Sequence, residues 1–337
     1  MSRPARRDRS ARGAERAVER AAAADAVSWS GPPTEAGPRL DRLRSMFASG
    51  EPILADGAMG TMLFAAGLSS GDPPEVWNLA HPDVVRGVHR GYIDAGSRIL
   101  LTNTFGANRL RLALHRLEDR VEQLNRTAAI LLRAEVTAAG VEALVAGDIG
   151  PSGEIMAPLG TLDREAAIDV FAEQAGALAA GGADLFWIET MSDLSEMAAA
   201  IAGARRASPA TPVVATMTFD TRGHTMMGVT PEDAARALNA LGVDAIGGNC
   251  GNGPDELLPV IDRMRAVAPD LPLVAKPNIG IPVFVGARAE YRTPPATMAT
   301  EAISLRARGA TVIGACCGST PAHLEAMAGA LRVSAKT

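Results

Sequence analysis

The chain has 337 residues, of which 47% are hydrophobic, and a formal net charge of -5, a composition typical of a globular protein with a large core. We expect no nucleic-acid partner, because the sequence has no basic stripe with interleaved aromatic residues. We expect no membrane partner either, because no apolar run reaches the roughly 18 residues that a membrane span needs.

The first 38 residues are rich in Ala, Arg, Gly and Pro and contain almost no large apolar side chains. Such a segment buries too little surface to offset the entropy lost on ordering. It is basic at its start, but it lacks the apolar segment and cleavage pattern of a secretory signal. We therefore predict a flexible tail over residues 1–38 and a single domain over residues 39–337.

From Glu51 onward, eight short apolar runs alternate with amphipathic stretches. The runs are rich in Val, Ile, Leu and Ala and do not alternate with polar residues, as expected of parallel strands that are buried on both faces. Several amphipathic stretches begin with Asp or Thr-Pro and end in Gly, which are helix start and stop signals. The predicted strands are 52–57, 98–105, 143–150, 184–190, 213–219, 244–250, 271–278 and 311–317.

Eight strands, each followed by a helix, predict an α/β fold of the (β/α)8 or TIM-barrel type. A doubly wound open sheet is the alternative, but no GxGxxG motif follows the first strand. In a barrel the chemistry gathers at the carboxyl ends of the strands. The polar residues at the predicted ends are Asp56, Asn103, Asp148, Glu189, Asn249, Cys250, Lys276, Asn278, Cys316 and Cys317.

The chain has three cysteines, and all three follow predicted strands: Cys250 ends the sixth, and Cys316 and Cys317 end the eighth. Three cysteines cannot all pair, which favours free or metal-bound thiols in a reducing compartment and predicts a cytoplasmic protein. Zinc prefers thiolate ligands, and a catalytic zinc keeps one of its four positions for substrate. Adjacent cysteines can both bind the metal only if the chain turns, which Gly314 and Gly318 would allow. We predict a catalytic zinc on these three cysteines, with buried free thiols as the alternative.

A zinc ion on three thiolates would hold a further thiol, with a free pKa of about 8.5, as a nucleophilic thiolate. The predicted chemistry is therefore alkylation of a thiol substrate. In the loop DGAMGTML after the first strand, backbone N–H groups could bind a carboxylate at a helix start. Asp56 in that loop and Glu189 on the fourth strand could pair with an ammonium group. These features predict an α-amino acid that carries a thiol.

Seven segments resemble, in order, the motifs of the zinc-dependent homocysteine S-methyltransferases, and the resemblance covers residues 51–330. They are DGAMGTML, LTNTFGAN, GDIGPSG, FWIETMSDLSEM, GGNCGNGP, AKPNIGIP and GACCGSTPAHLEAM. The resemblance implies that Cys250, Cys316 and Cys317 bind zinc and that homocysteine is held by Asp56, Gly57 and Glu189. It also implies a supporting role for the loop that contains Lys276, and methionine as the product.

Within the family, SSGDPPEVWNLAHPDVV and MTFDTRGHTMMGVTP look most like bacterial betaine-homocysteine S-methyltransferases, which implies glycine betaine or a related onium compound as donor. In the animal betaine enzymes, tyrosines stand where this chain has Gly106 and Thr190. A corrinoid, methyltetrahydrofolate or S-methylmethionine donor is therefore the alternative. A non-catalytic zinc sensor is the alternative from another class. Homocysteine and a small methyl donor are the expected partners, and homo-oligomerisation is left open.

Overall fold

A computed structural model describes residues 38–285 and 288–334. The predicted tail lies outside these residues apart from Pro38, which begins helix α1 (Pro38–Ala48). Leu43 of α1 is fully buried and belongs to the same hydrophobic cluster as Leu144 and Leu185, which begin two of the barrel strands. Helix α1 therefore packs against the amino-terminal end of the barrel.

Eight parallel strands form the barrel, in the order β1-β10-β7-β6-β5-β4-β3-β2. A parallel bridge between Ala55 and Ile99, with the Asp56 N–H donating to the Ile99 carbonyl at 3.0 Å, joins β1 to β2 and closes the circle. All eight predicted strands are present, so the TIM-barrel prediction is confirmed. The strands are β1 Ile53–Leu54, β2 Ile99–Leu101, β3 Leu144–Ile149, β4 Leu185–Met191, β5 Val213–Met217, β6 Ala245–Cys250, β7 Leu273–Pro277 and β10 Ala310–Ile313.

Helices connect successive strands and cover the outside of the barrel. Two of the predicted start signals act as caps: Asp163 Oδ1 accepts the Ala166 N–H at 2.9 Å, and Thr230 Oγ1 accepts the Asp233 N–H at 3.0 Å. In the part of the chain that the structure describes, no helix has the length and apolar character to cross a membrane. The remaining helices are α2 Met59–Ala65, α3 Trp77–Ala80, α4 Pro82–Asp94, α5 Arg109–Ala113, α6 Val121–Ala139, α7 Arg164–Ala180, α8 Leu194–Ala207, α9 Pro231–Ala240, α10 Pro254–Val267, α11 Pro295–Ala307 and α12 Pro321–Ser334.

An antiparallel hairpin, β8 (Val283–Val285) and β9 (Arg288–Glu290), is inserted between β7 and α11. No sequence pattern predicts this hairpin. Tyr291 follows the hairpin, and its ring lies so close to Gly318 that a Cβ at that glycine would overlap the ring. The hairpin thus places an aromatic ring beside the loop that contains the adjacent cysteines.

Side chains that point into the barrel recur at every second residue of each strand. On β3, Leu144 and Ala146 belong to the inner hydrophobic cluster, and Asp148 is the next residue on that face. On β4, Trp187 belongs to the cluster and Glu189 follows it. An apolar column is therefore topped by buried polar side chains at the carboxyl ends of the strands. We call these side chains the polar layer: Asp148, Glu189, Asn249 and Lys276.

Candidate active site

The three cysteines meet at the carboxyl end of the barrel. Cys250 is the last residue of β6, and Cys316 and Cys317 follow β10. Their sulfur atoms all lie within 4.8 Å of one another, and the Sγ atoms of Cys250 and Cys316 are 3.0 Å apart. Ligands about 2.3 Å from a tetrahedral zinc ion are about 3.8 Å from each other. Cys250 and Cys316 are closer than this, but all three sulfurs converge on one point of the barrel rim, and the softness of the donor set fits zinc.

The protonation states of the three thiols depend on one another. Hydrogen bonds with Cys316 and Cys317, together with burial, raise the pKa of the Cys250 thiol. Hydrogen bonds from Cys250 and then Cys316 lower the pKa of Cys317. The cluster on its own therefore favours one thiolate shared by two thiols. A divalent cation is what allows three thiolates to lie this close together.

The backbone turns sharply at the end of β6. Cys250 has a φ of +58°, which is uncommon for a residue other than glycine, and Gly251 continues with a φ of +70°. The Asn278 side chain holds this turn, because its Nδ2 donates to the Gly251 carbonyl at 2.5 Å. Its Oδ1 accepts the Cys317 N–H at 2.9 Å. Asn278 thus ties the loop of Cys250 to the loop of Cys317.

The predicted turn at the cysteine pair is present, although the two glycines act differently. Gly318 has a φ of +85°, a backbone conformation that side chains disfavour. Gly314 does not have a positive φ and instead allows close packing, since a Cβ there would lie 2.9 Å from the Asp56 carbonyl and 3.0 Å from Lys276 Cγ. The first glycine therefore brings the strand against Asp56 and Lys276, and the second turns the chain.

Asn249 and Thr190 form a supporting pair whose role the sequence analysis missed. Thr190 has a φ of +61°, an outlier for a β-branched residue. Asn249 Oδ1 accepts the Thr190 N–H at 2.9 Å and the Thr216 hydroxyl at 2.8 Å, and Asn249 Nδ2 donates to Thr190 Oγ1 at 2.7 Å. Thr190 Oγ1 in turn lies 3.9 Å from Cys250 Sγ. The strand-end position of Asn249 was the only signal in the sequence.

Ser319 is a second residue that the sequence analysis did not single out. Its hydroxyl accepts the Ala58 N–H at 2.9 Å and donates to the Cys316 carbonyl at 2.8 Å. Tyr92 donates to the Ala58 carbonyl from the other side at 2.9 Å. A Cβ on Gly57 would lie 2.5 Å from Ser319 Oγ and 2.8 Å from the Tyr92 ring. Gly57 therefore lets the first loop pack directly against the cysteine loop.

Asp56, one of the predicted substrate residues, forms an internal ion pair. Lys276 Nζ donates to Asp56 Oδ1 at 2.8 Å, and both side chains are at most 5% exposed. Asp56 Oδ2 accepts the Leu101 N–H at 2.8 Å. Burial lowers the pKa of Lys276, but the carboxylates of Asp56 and Glu189 outweigh it and keep the amine charged. Any contact of Asp56 with a substrate therefore involves this pair, and its predicted binding role stays a prediction.

Asp148 and Glu189 contrast with Asp56, because each has a carboxylate oxygen with no hydrogen-bond partner among residues 38–285 and 288–334. Their relative exposures are only 5% and 6%. Burial, and then the charge of Glu189, raise the pKa of Asp148 well above its ordinary value. Burial raises the pKa of Glu189 to about 8. The sequence predicts Glu189 as a substrate residue and Asp148 only as a polar residue at a strand end.

The two halves of the site adjoin each other. The Cys316 sulfur is close enough to raise the pKa of both Asp148 and Glu189. Lys276 also lies near the apolar column, with its Nζ 5.3 Å from the centre of the Trp187 ring. The arrangement can therefore hold a soft cation at the sulfurs and a positively charged group at the open carboxylates.

Comparison with known proteins places this geometry in a family. The family described as Homocysteine S-methyltransferase matches residues 53–331. The chain is 34% identical over 293 residues to the methionine synthase of Mycobacterium tuberculosis and 33% identical over 293 residues to that of Mycobacterium leprae. These alignments cover 83% of the chain, which spans only 24% of the length of either relative.

Solved structures of the Escherichia coli homocysteine methyltransferase MmuM are similar over most of the chain. The metallated form superposes with a TM-score of 0.72 at 27% identity and covers 85% of this chain and 98% of that one. The oxidised form gives a TM-score of 0.73 at 26% identity, over 86% of this chain and 99% of that one. The likeness therefore includes the whole barrel.

Proposed function

The chain belongs to the homocysteine S-methyltransferase family, and from that premise we propose that it transfers a methyl group to the sulfur of homocysteine, giving methionine, with zinc as its metal. The proposal rests above all on the three cysteine sulfurs, which lie within 4.8 Å of one another. Zinc bound by Cys250, Cys316 and Cys317 would stabilise the thiolate form of homocysteine at neutral pH.

The residues around the sulfurs bind and orient the substrate. Glu189 accepts hydrogen bonds from the ammonium group of homocysteine. Asp56 acts on the substrate indirectly, because its carboxylate is paired with Lys276. Gly57 allows the first loop to pack tightly beside the cysteines. In the transfer, the homocysteine sulfur forms a bond to the methyl carbon, the bond from that carbon to the donor breaks, and the donor leaves with the electron pair. Positioning is therefore the main contribution of these residues.

Glycine betaine or a related onium compound is the first candidate for the donor. Such a compound needs aromatic faces around its cationic group. Trp187 and Phe219 are buried in the core, and Trp77 packs against the core with its ring 4.5 Å from that of His81. Phe105, at 37% exposure, keeps an accessible face. Tyr291, beside the cysteine loop, is partly exposed as well. Two such rings make a sparse cage, which favours a second candidate whose methyl group is not on a cationic onium centre, delivered by a corrinoid or methyltetrahydrofolate.

A methionine-formation assay tests the proposal, with zinc-loaded protein, homocysteine and a panel of betaine, dimethylsulfonium compounds, S-methylmethionine, methyltetrahydrofolate and methylcobalamin. We expect Cys317→Ala to lose zinc on dialysis and to lower turnover by at least about 100-fold, because even residues that only support metal ligands contribute 10- to 100-fold. Zinc per chain and circular dichroism are measured alongside, and Asp244→Asn serves as a control far from the sulfurs. Full activity in Cys317→Ala would refute the ligand assignment.

The zinc-sensor alternative is separated from the enzyme by the substrate itself. We expect homocysteine to release a proton on mixing with the zinc-loaded protein and to add a fourth sulfur to the zinc-edge X-ray absorption spectrum. A sensor of this type would show neither change.

A further inference from the structure

Asp148 and Glu189 lie on the neighbouring strands β3 and β4, near the carboxyl ends of both. Asp148 is paired in register with Trp187, and Glu189 is the next inward residue of that strand. Asp148 Oδ1 and Glu189 Oε2 are both buried, and within the described chain neither accepts a hydrogen bond. The charge of Glu189 raises the pKa of Asp148, so two open acceptors lie near each other above the apolar column.

Lys276 lies close enough to attract both carboxylates, but its hydrogen bond goes to a third acid. Its ammonium group donates to Asp56 Oδ1 at 2.8 Å, so Lys276 and Asp56 form a neutral pair. Asp148 and Glu189 are left as a second pair of acids without a hydrogen-bonded cation in the part of the chain described. Burying carboxylates in this way is costly unless a cation pairs with them. The arrangement is suited to a positively charged ligand group that donates several hydrogen bonds.

We propose that Asp148 determines substrate specificity by binding, together with Glu189, the α-ammonium group of the amino-acid substrate. An ammonium group carries three N–H donors and can satisfy both open oxygens at once. A single positive charge also suits this position better than a divalent ion, because the Lys276 ammonium lies nearby. The inference rests on the proposed function in taking homocysteine as the ligand.

The proposal makes the ammonium group the feature that Asp148 recognises. 4-Mercaptobutanoate is homocysteine with hydrogen in place of the amino group, so it keeps the thiol and the carboxylate. A substitution at Asp148 should therefore weaken the binding of homocysteine and spare that of 4-mercaptobutanoate. A purely structural role for Asp148 would affect both ligands equally.

Calorimetric titration of the zinc-loaded protein with each ligand tests this difference without a methyl donor. We expect Asp148→Asn to weaken homocysteine binding by about 10- to 100-fold, as for loss of a hydrogen bond to a charged group. Binding of 4-mercaptobutanoate should change by less than about 2-fold. Glu189→Gln should show the same selectivity. Asp244→Asn, which changes a half-buried acid just before β6 and so at the opposite end of the barrel, should leave both affinities unchanged.

Equal weakening of both ligands by Asp148→Asn, or no weakening of either, would overturn the proposal. Asp148→Ser provides the same comparison if the asparagine variant does not fold. The wild-type protein keeps the two proposals apart. Failure to bind homocysteine or form methionine would contradict the proposed function, whereas normal homocysteine binding in Asp148→Asn would contradict only the role of Asp148.

Discussion

The two ends of strand β4 treat buried acids in opposite ways. Asp184 comes just before the strand, where its Oδ2 accepts the Val145 N–H at 2.8 Å and pairs with Arg133. Glu189 lies near the other end of the strand, and its Oε2 has no partner in the described structure. Both side chains are less than 10% exposed. Their difference therefore lies in their partners and not in their burial.

This difference separates stability from function. An acid such as Asp184 repays the cost of its burial through contacts inside the protein, and it thereby fixes the start of the strand. An acid such as Glu189 destabilises the folded protein by its burial until a ligand supplies the missing hydrogen-bond donor. The same division between a stabilising and a chemical face is general in TIM barrels. In this barrel, substitution of single acids at either end can measure how each acid affects the stability of the protein.

The largest effect is expected from Lys276→Met, which removes the cation that partners Asp56. Breaking a buried ion pair leaves an uncompensated charge and costs about 3 to 5 kcal/mol. Urea unfolding measures the loss. The double variant Asp56→Asn with Lys276→Met should recover most of it, because no buried charge is then left alone. A loss below about 1 kcal/mol in the single variant would show that the pair contributes little.

The pH dependence of stability should reveal the cost carried by Glu189. Its pKa is raised from 4.5 to about 8 in the folded state, so the folded protein binds more protons than the unfolded one between these values. Stability attributable to Glu189 therefore falls as pH rises from 4.5 to 8, by about 3 kcal/mol between pH 4.5 and 7. Urea unfolding of wild type and Glu189→Gln across this range gives the difference. Parallel curves would mean that Glu189 has a partner.

A smaller loss, about 1 to 3 kcal/mol, is expected for Asp184→Asn, which weakens a satisfied acid at the amino-terminal end. The matched change at the other end, Asp148→Asn, should not destabilise the protein at neutral pH, since burial opposes the ionisation of Asp148 and its Oδ1 has no hydrogen-bond partner in the described structure to lose. Thermal unfolding of the two variants side by side measures the contrast. If both changes destabilised the protein equally, the two ends would not differ as described.

Local sequence patterns were enough to predict the barrel. Each apolar run is set by its own length and composition, so all eight strands were found near their observed positions. The hairpin of β8 and β9 was missed because its strands are only three residues long and Val283 and Phe284 are exposed. Strands of three residues are too short to define a periodic pattern in the sequence.

The site could be predicted only as a set of strand ends. The sequence indicated that Asp56 and Lys276 lie at the same face, but they are 220 positions apart and their pairing depends on how the barrel closes. Asp56 was therefore assigned to a substrate ammonium and not to a lysine. The positive φ of Thr190 also has no sequence signal, because a β-branched residue is the last expected there.

The polar layer lies deeper in the barrel than the cysteines, and this difference in depth orients a bound substrate. The three cysteines are only partly buried, whereas Asp148 and Glu189 are 5% and 6% exposed. Beneath these carboxylates the barrel is filled, with Trp187 fully buried and Leu43 of α1 belonging to the same cluster. An amino thiol held by both groups would enter with its ammonium group first and keep its sulfur at the rim. The reacting atom would then face the side from which the methyl donor arrives.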